Sequence, residues 1–138
     1  MIRDYKELEV WKKSVALTIE LYKLTGGFPV AERFGLTSQI RRASISVPAN
    51  IAEGWGRGSR GEYIQFLTVA RGSLMELETH LIIAGNLNFL DSEKSDRAMS
   101  MVNEIEKMLN RLIAVLRNGK AKSVSLVPYP VSRVPRVA

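Results

Sequence analysis

Arginine is the residue type whose placement in this chain could do chemistry. Residues 33–71 carry Arg33, Arg41, Arg42, Arg57, Arg60 and Arg71 against only Glu53 and Glu62. A guanidinium is planar, permanently charged and matches a phosphate bidentately. Contacts to phosphate and sugar are also the most frequent kind between proteins and nucleic acids. Arg41 and Arg42 follow Ser38 and Gln39. At helical spacing Gln39, Arg42 and Ser46 share one side, while Ile40, Ala43 and Val47 face a core. Two readings follow: these arginines, together with Arg57, Arg60 and Arg71, contact phosphates, or they pair with acids such as Glu53 or with a neighbouring subunit. Trp55, beside Arg57 and Arg60, is either a stacking platform for a base or a hydrophobic plug at a helix end. A second basic run, Lys120, Lys122, Arg133 and Arg136, contains no acid. It would add sequence-independent attraction to a polyanion, Lys120 and Lys122 first. The other segments are charge-balanced or slightly acidic, so the net charge of +6 comes from one internal stretch and one tail.

Other chemistries find little support. Gly54-x-Gly56-x-Gly58 has the look of a phosphate-cradling loop, but it lacks a preceding strand, a P-loop lysine and dinucleotide-binding spacing. It reads as a hinge and helix cap. His80 is the single histidine and there are no cysteines, so no metal set assembles. Between Leu77 and Leu81, His80 reads as a structural residue. Glu76 and Glu78 fall on different faces, which weakens an acid–base pair. Met99, Met101 and Met108 suit a core or an interface better than a cofactor box. The expectation is a protein that is not an enzyme and carries no cofactor and no metal. The charged start, Met1-Ile2-Arg3-Asp4-Tyr5-Lys6-Glu7, does not suit a signal peptide. No apolar run reaches membrane-span length, and the lack of cysteine fits a reducing cytoplasm. A cytoplasmic protein without a membrane partner is expected.

Four helical segments would position these groups. The first runs from about Tyr5 to Thr25, with Leu8, Trp11, Val15, Ile19 and Tyr22 stepping by three or four, and Val10, Leu17, Leu21 and Leu24 as a second apolar set. Gly26-Gly27 stops it, the expected stop being a left-handed glycine. The second runs from about Ala31 to Gly54 on Leu36, Ile40, Ala43, Val47 and Ile51. Pro48 sits inside that pattern and predicts a kink or local break near Ser44–Val47. The third opens on the capping box Ser59-Arg60-Gly61-Glu62 and carries Tyr63, Leu67, Ala70, Leu74, Leu77, Leu81 and Ala84 up to Gly85-Asn86. The fourth begins at the Asp91 cap and carries Ala98, Val102, Ile105, Leu109, Leu112 and Leu116. Short connections imply an all-α, up-down-up-down four-helix bundle over residues 1–118. Residues 119–138 read as a basic, proline-containing flexible tail. Met101, Met108 and Val115 form a second stripe on the last helix. With the double apolar set of the first helix, this points to a homo-oligomer, or to a broad core stripe.

The stretch Phe34-Gly35-Leu36-Thr37-Ser38-Gln39-Ile40-Arg41-Arg42-Ala43-Ser44-Ile45-Ser46-Val47-Pro48-Ala49-Asn50-Ile51-Ala52-Glu53-Gly54 resembles the signature of a bacterial four-helix-bundle family. That family was first noticed as proteins encoded by intervening sequences within 23S rRNA genes. Further matches are Leu8-x-Val10-Trp11, Phe28-Pro29, Glu62-Tyr63-x-x-Phe66-Leu67 and Ala70-x-Gly72-Ser73-Leu74-x-Glu76-Leu77-Glu78. The resemblance covers residues 5 to about 118. It implies a bundle that assembles into a ring, a homopentamer. It also implies kinship with the accessory proteins of diversity-generating retroelements, basic barrels that bind nucleic acid and a reverse transcriptase. No catalytic residues come with it. Arg41, Arg42, Asn50, Glu53 and Gly54 match the motif, in a role of either assembly or ligand binding.

The combined expectation is an oligomeric protein that binds RNA or DNA through phosphate contacts. A protein-interaction scaffold, such as an accessory factor for a reverse transcriptase or another polymerase, is the alternative. Replacing Arg41 and Arg42 together by alanine is expected to lower affinity and leave the bundle folded.

Overall fold

A computed structural model describes residues 2–119; Lys120, Lys122, Arg133 and Arg136 of the basic tail lie outside the described residues. Four helices make up the described chain: α1 (Glu9–Thr25), α2 (Leu36–Gly56), α3 (Arg60–Asn86) and α4 (Ser92–Arg117). Among the described residues there is no strand. Each helix packs on its neighbours in sequence, and α1 also packs on α4, so α1 and α3 take opposite corners of a four-sided bundle. Connections of three to ten residues turn each helix back along the one before.

The ends are set by local hydrogen bonding. The Tyr5 start becomes a separate 3-10 turn, Tyr5–Glu7, closed by a capping box between Asp4 and Glu7. Leu8 then takes an extended conformation and α1 begins at Glu9. α1 ends without a left-handed glycine: Gly26 remains right-handed at φ −60°. The left-handed stop expected there is found after α3 instead. Asn88 has φ 62°, and the amides of Asn88 and Phe89 donate to the Gly85 and Ala84 carbonyls at 3.0 and 2.9 Å, the pattern of a Schellman motif. Ser59 Oγ accepts from the Glu62 amide and caps α3. Asp91 Oδ1 accepts from the Lys94 amide and caps α4.

The seven apolar positions read for α3 are its seven buried residues. All six read for α4 are buried, with Ile113 added. Met101, Met108 and Val115 are half-buried against the margin of the core. For α1 the leading stripe is reversed. The buried face is Val10, Ser14, Leu17, Leu21 and Thr25, while Ile19 is 52% exposed and Tyr22 39%. Ser14 and Thr25 hide the true face because they are polar, yet each hydroxyl is satisfied by its own helix. Ser14 Oγ donates to the Trp11 carbonyl at 2.8 Å, and Thr25 Oγ1 donates to the Leu21 carbonyl at 2.7 Å. A buried hydroxyl so bonded costs little.

α2 runs without a break from Leu36 to Gly56, through Pro48, so the interruption expected at Ser44–Val47 is not there. Proline has no N–H to give the carbonyl four residues back. Thr18 of α1 offers a replacement donor: its Oγ1 lies 3.0 Å from the Ser44 carbonyl, a proton shared with the Ser14 carbonyl of its own helix at 2.9 Å. A proline defect in one helix is thereby turned into a tie to the next.

Candidate nucleic-acid interface

Arg41 leaves α2 toward the C-terminal turn of α1. Its Nε donates to Thr25 Oγ1 at 2.9 Å and an Nη donates to the Tyr22 carbonyl at 3.2 Å. The guanidinium also stacks over the Tyr22 ring, 4.6 Å from its centroid. A cation at a helix C-terminus is favoured by the helix dipole, so Arg41 is a structural tie as well as a charge. Neither it nor Arg42 pairs with Glu53; Arg42 donates to Gln39 on the same face of α2.

Around Arg41 lies an open cleft of ≈ 480 Å³. Its lining includes Tyr22, Arg33, Phe34, Ser38, Arg42 and Ile45. No carboxylate lines it. The turn that enters α2 is fixed on both sides. Glu32 Oε1 accepts from the Leu36 amide at 3.0 Å, and the Gly35 amide donates to the Glu32 carbonyl at 3.0 Å. Arg33 and Phe34 are thus held outward at the mouth, Phe34 88% exposed. Sequence reasoning counted Arg33 among the arginines but did not place it at this site, and it quoted Phe34 only as part of a motif. Their adjacency just ahead of a helix start was the available signal.

The other sequence-selected arginines do not join this cleft. Arg57 lies about 22 Å from Arg42 along α2 at the helical rise per residue. Its Nε makes a 2.9 Å ion pair with Glu62 and its guanidinium covers the Phe66 ring. Arg60 follows on α3, its Nε buried without a hydrogen-bond partner and its guanidinium against Gly119 at the end of α4. Arg71 donates to Asn110 Oδ1 across the α3–α4 face at 3.0 Å. One sequence cluster therefore becomes a three-arginine cleft at one end of α2 and separate, mostly engaged arginines elsewhere.

The remaining candidates are structural. Trp55 is 8% exposed and packs edge-on against Tyr63 at 6.4 Å, so it plugs the α2–α3 junction and presents no open face to a base. Burial raises the Tyr63 phenol above its ordinary range. Of the glycine run, Gly58 makes the turn at φ 94°. Gly54 stays inside the helix and lets α3 approach, since a Cβ there would stand 2.8 Å from Phe66 Cβ. The glycine spacing alone points to a hinge and cap and carries no sign of this close approach. Ser46 and Ser73 share a 2.8 Å hydrogen bond between α2 and α3, and Asn50 donates to Ser46 at 2.7 Å. His80 is mostly buried beside Glu76, at 3.6 Å. Among the described residues no group of three or more His, Asp or Glu could hold a metal ion, and no helix is long and apolar enough to cross a membrane.

The comparison with protein families decides kinship. The family described as 23S rRNA-intervening sequence protein matches residues 6–111. The chain belongs to that family. A solved structure agrees: a protein of unknown function from the S23 ribosomal protein family of Bacteroides thetaiotaomicron VPI-5482 superposes with a TM-score of 0.69 at 26% identity, covering 75% of this chain and 97% of that one. No curated protein matches. The family match spans all but the last turn and a half of α4, and it contains the whole arginine cleft.

Proposed function

We propose that this family member is a non-enzymatic, cytoplasmic, oligomeric protein that binds RNA or DNA, mainly through phosphates. The observation that carries the reading is the convergence of Arg33, Arg41 and Arg42 on one open cleft whose lining holds no carboxylate. Three fixed positive charges at a concave surface concentrate polyanions there. Arg71 and the tail lysines Lys120 and Lys122 add diffuse attraction; Arg57, paired with Glu62, and Arg60, with its buried Nε, add least. A fluorescence anisotropy titration at low salt tests this. Wild type binds, Arg33→Gln with Arg42→Gln binds at least about tenfold more weakly, and affinity falls steeply with salt. Absence of any wild-type binding at low salt rejects it.

Assembly into a ring, pentameric by family resemblance, is supported by two apolar rows on opposite corners of the bundle. One is Trp11, Val15 and Ile19 on α1. The other is the pair Ile83 and Leu87 on and after α3, 41% and 53% exposed; polar Ser73, Glu76 and His80 separate it from Val69 on the same face. Different patches on opposite sides suit a head-to-tail contact, the kind that closes rings. Light scattering on the eluting protein tests the assembly: Ile19→Lys and Ile83→Lys are each expected to reduce the mass to that of one chain. The α3 row also supports a second reading, a docking face for a polymerase such as a reverse transcriptase. That partner would survive nuclease treatment in a pull-down, whereas a nucleic-acid-bridged one would not.

A further inference from the structure

We infer that the α1–α2 cleft takes single-stranded nucleic acid, with one unstacked base laid on the Phe34 ring and the flanking phosphates on Arg33 and Arg42. The inference rests on the nucleic-acid reading above and narrows it to a strand state and a contact.

Phe34 is the most exposed large apolar side chain in the described structure, at 88%. An exposed phenyl ring forgoes the favourable burial of its surface. Among the described residues the Arg33 guanidinium lies beside the ring, 6.0 Å from its centroid. A flat ring beside a cation, at the mouth of a basic cleft, is the pairing that single-strand binders use: aromatic faces for bases and positive charge for the backbone. The cleft repeats the pairing one step further in, where Arg41 lies over Tyr22 at 4.6 Å. That second aromatic is 39% exposed.

Size and rigidity point the same way. A cleft of ≈ 480 Å³ falls within the range of pockets that hold one small organic ligand, which suits a nucleotide unit. A duplex keeps its bases stacked and offers this cleft only phosphates. The backbone that carries the platform is also held in place beforehand. The Glu32 carboxylate ties down the Leu36 amide, and the Arg33 amide donates to the Val30 carbonyl at 3.0 Å. Little conformational freedom is then lost when a base arrives. Stacking tolerates every base, so the site discriminates strand state far more than sequence.

The test is anisotropy with labelled oligothymidylate, oligouridylate and a duplex of equal length, on wild type, Phe34→Ala and Phe34→Trp. The expected result is tighter binding of the single strands than of the duplex. Phe34→Ala should lose about 5- to 150-fold on single strands, with the duplex affinity and the salt slope unchanged. Phe34→Trp should keep the affinity and show quenched indole emission on binding. Circular dichroism and light scattering on both variants should match wild type. If wild type binds but Phe34→Ala binds single strands equally well, or the duplex is preferred, the stacking inference fails and the nucleic-acid reading survives. If Phe34→Ala instead changes the oligomer mass, the ring is a subunit contact and the inference fails. If wild type binds neither strand form, both readings fall.

Discussion

At the N-terminal end of α2, Arg41 and Arg42 stand with Arg33 around an open cleft that no acid enters. At the C-terminal end, Arg57 is neutralised by Glu62 at 2.9 Å and the Nε of Arg60 is buried. Both ends contribute the same residue type from one stretch of sequence. The difference is what each guanidinium meets on folding. Two of the five donors of Arg41 hold α1, and Arg41 lines the cleft together with Arg33 and Arg42. Arg57 spends its charge within its own turn. Positive charge in a sequence becomes a binding surface only where the fold withholds a partner.

The contrast can be broken by substitution. The largest expected effect is at the closed end. Gly54→Ala places a Cβ 2.8 Å from Phe66 Cβ and 3.1 Å from Tyr63 Cδ1, and overpacking of this kind costs about 1–3 kcal/mol; urea unfolding reads it. At the open end, Arg41→Ala removes two hydrogen bonds to α1 and is expected to cost about 1–2 kcal/mol. Arg41→Lys should recover only part of that, because an ammonium cannot reproduce the fork. Arg57→Ala, which breaks an exposed pair, should cost under about 1 kcal/mol. Equal losses at Arg41 and Arg57 would erase the distinction between the two ends. Because Arg41 is structural, the paired alanine replacement of Arg41 and Arg42 confounds binding with stability; Arg33 and Arg42 are the cleaner pair.

Two further effects sharpen the picture. Thr18→Val leaves the Ser44 carbonyl without the donor that Pro48 cannot provide and is expected to cost about 1 kcal/mol, with Thr18→Ser restoring most of it. Tyr63 gives a pH dependence. Its folded pKa is raised by burial, so the native state holds the proton longer than the unfolded chain. Stability is full below the ordinary tyrosine pKa of about 10 and falls as pH rises beyond it. Tyr63→Phe, which deletes an unpartnered hydroxyl, should flatten that alkaline decline in thermal melts.

How much the sequence revealed depended on how a polar residue behaves inside a helix. α3 was read position for position because its core face is uniformly apolar from Tyr63 to Ala84. α1 was read with the wrong stripe leading, since Ser14 and Thr25 are buried with their hydroxyls turned to their own backbone. Periodicity sees only residue type and assigns such positions to the outside. Pro48 was recognised as a defect, but its remedy lies 30 residues away at Thr18, beyond any local pattern. The arginine stretch was legible as charge. Its division between two ends of one helix was not, because ion pairing with Glu62 and the ties to Tyr22 and Thr25 are tertiary facts. The family signature, which begins at Phe34, covers most of the open cleft but leaves out Arg33 and does not single out Phe34.

The central claim is that the α1–α2 cleft carries the phosphate contacts, and the salt dependence of single-strand binding tests it most directly. Affinity would be measured across a salt series for wild type, for Arg33→Gln with Arg42→Gln, and for Arg57→Gln with Arg71→Gln, two variants of equal charge loss. If the cleft residues each neutralise one phosphate, the first variant flattens the slope of log affinity against log salt by about 1.4, while the second leaves it close to wild type. Equal slopes for all three proteins, or a larger change from Arg57 and Arg71, would contradict the account.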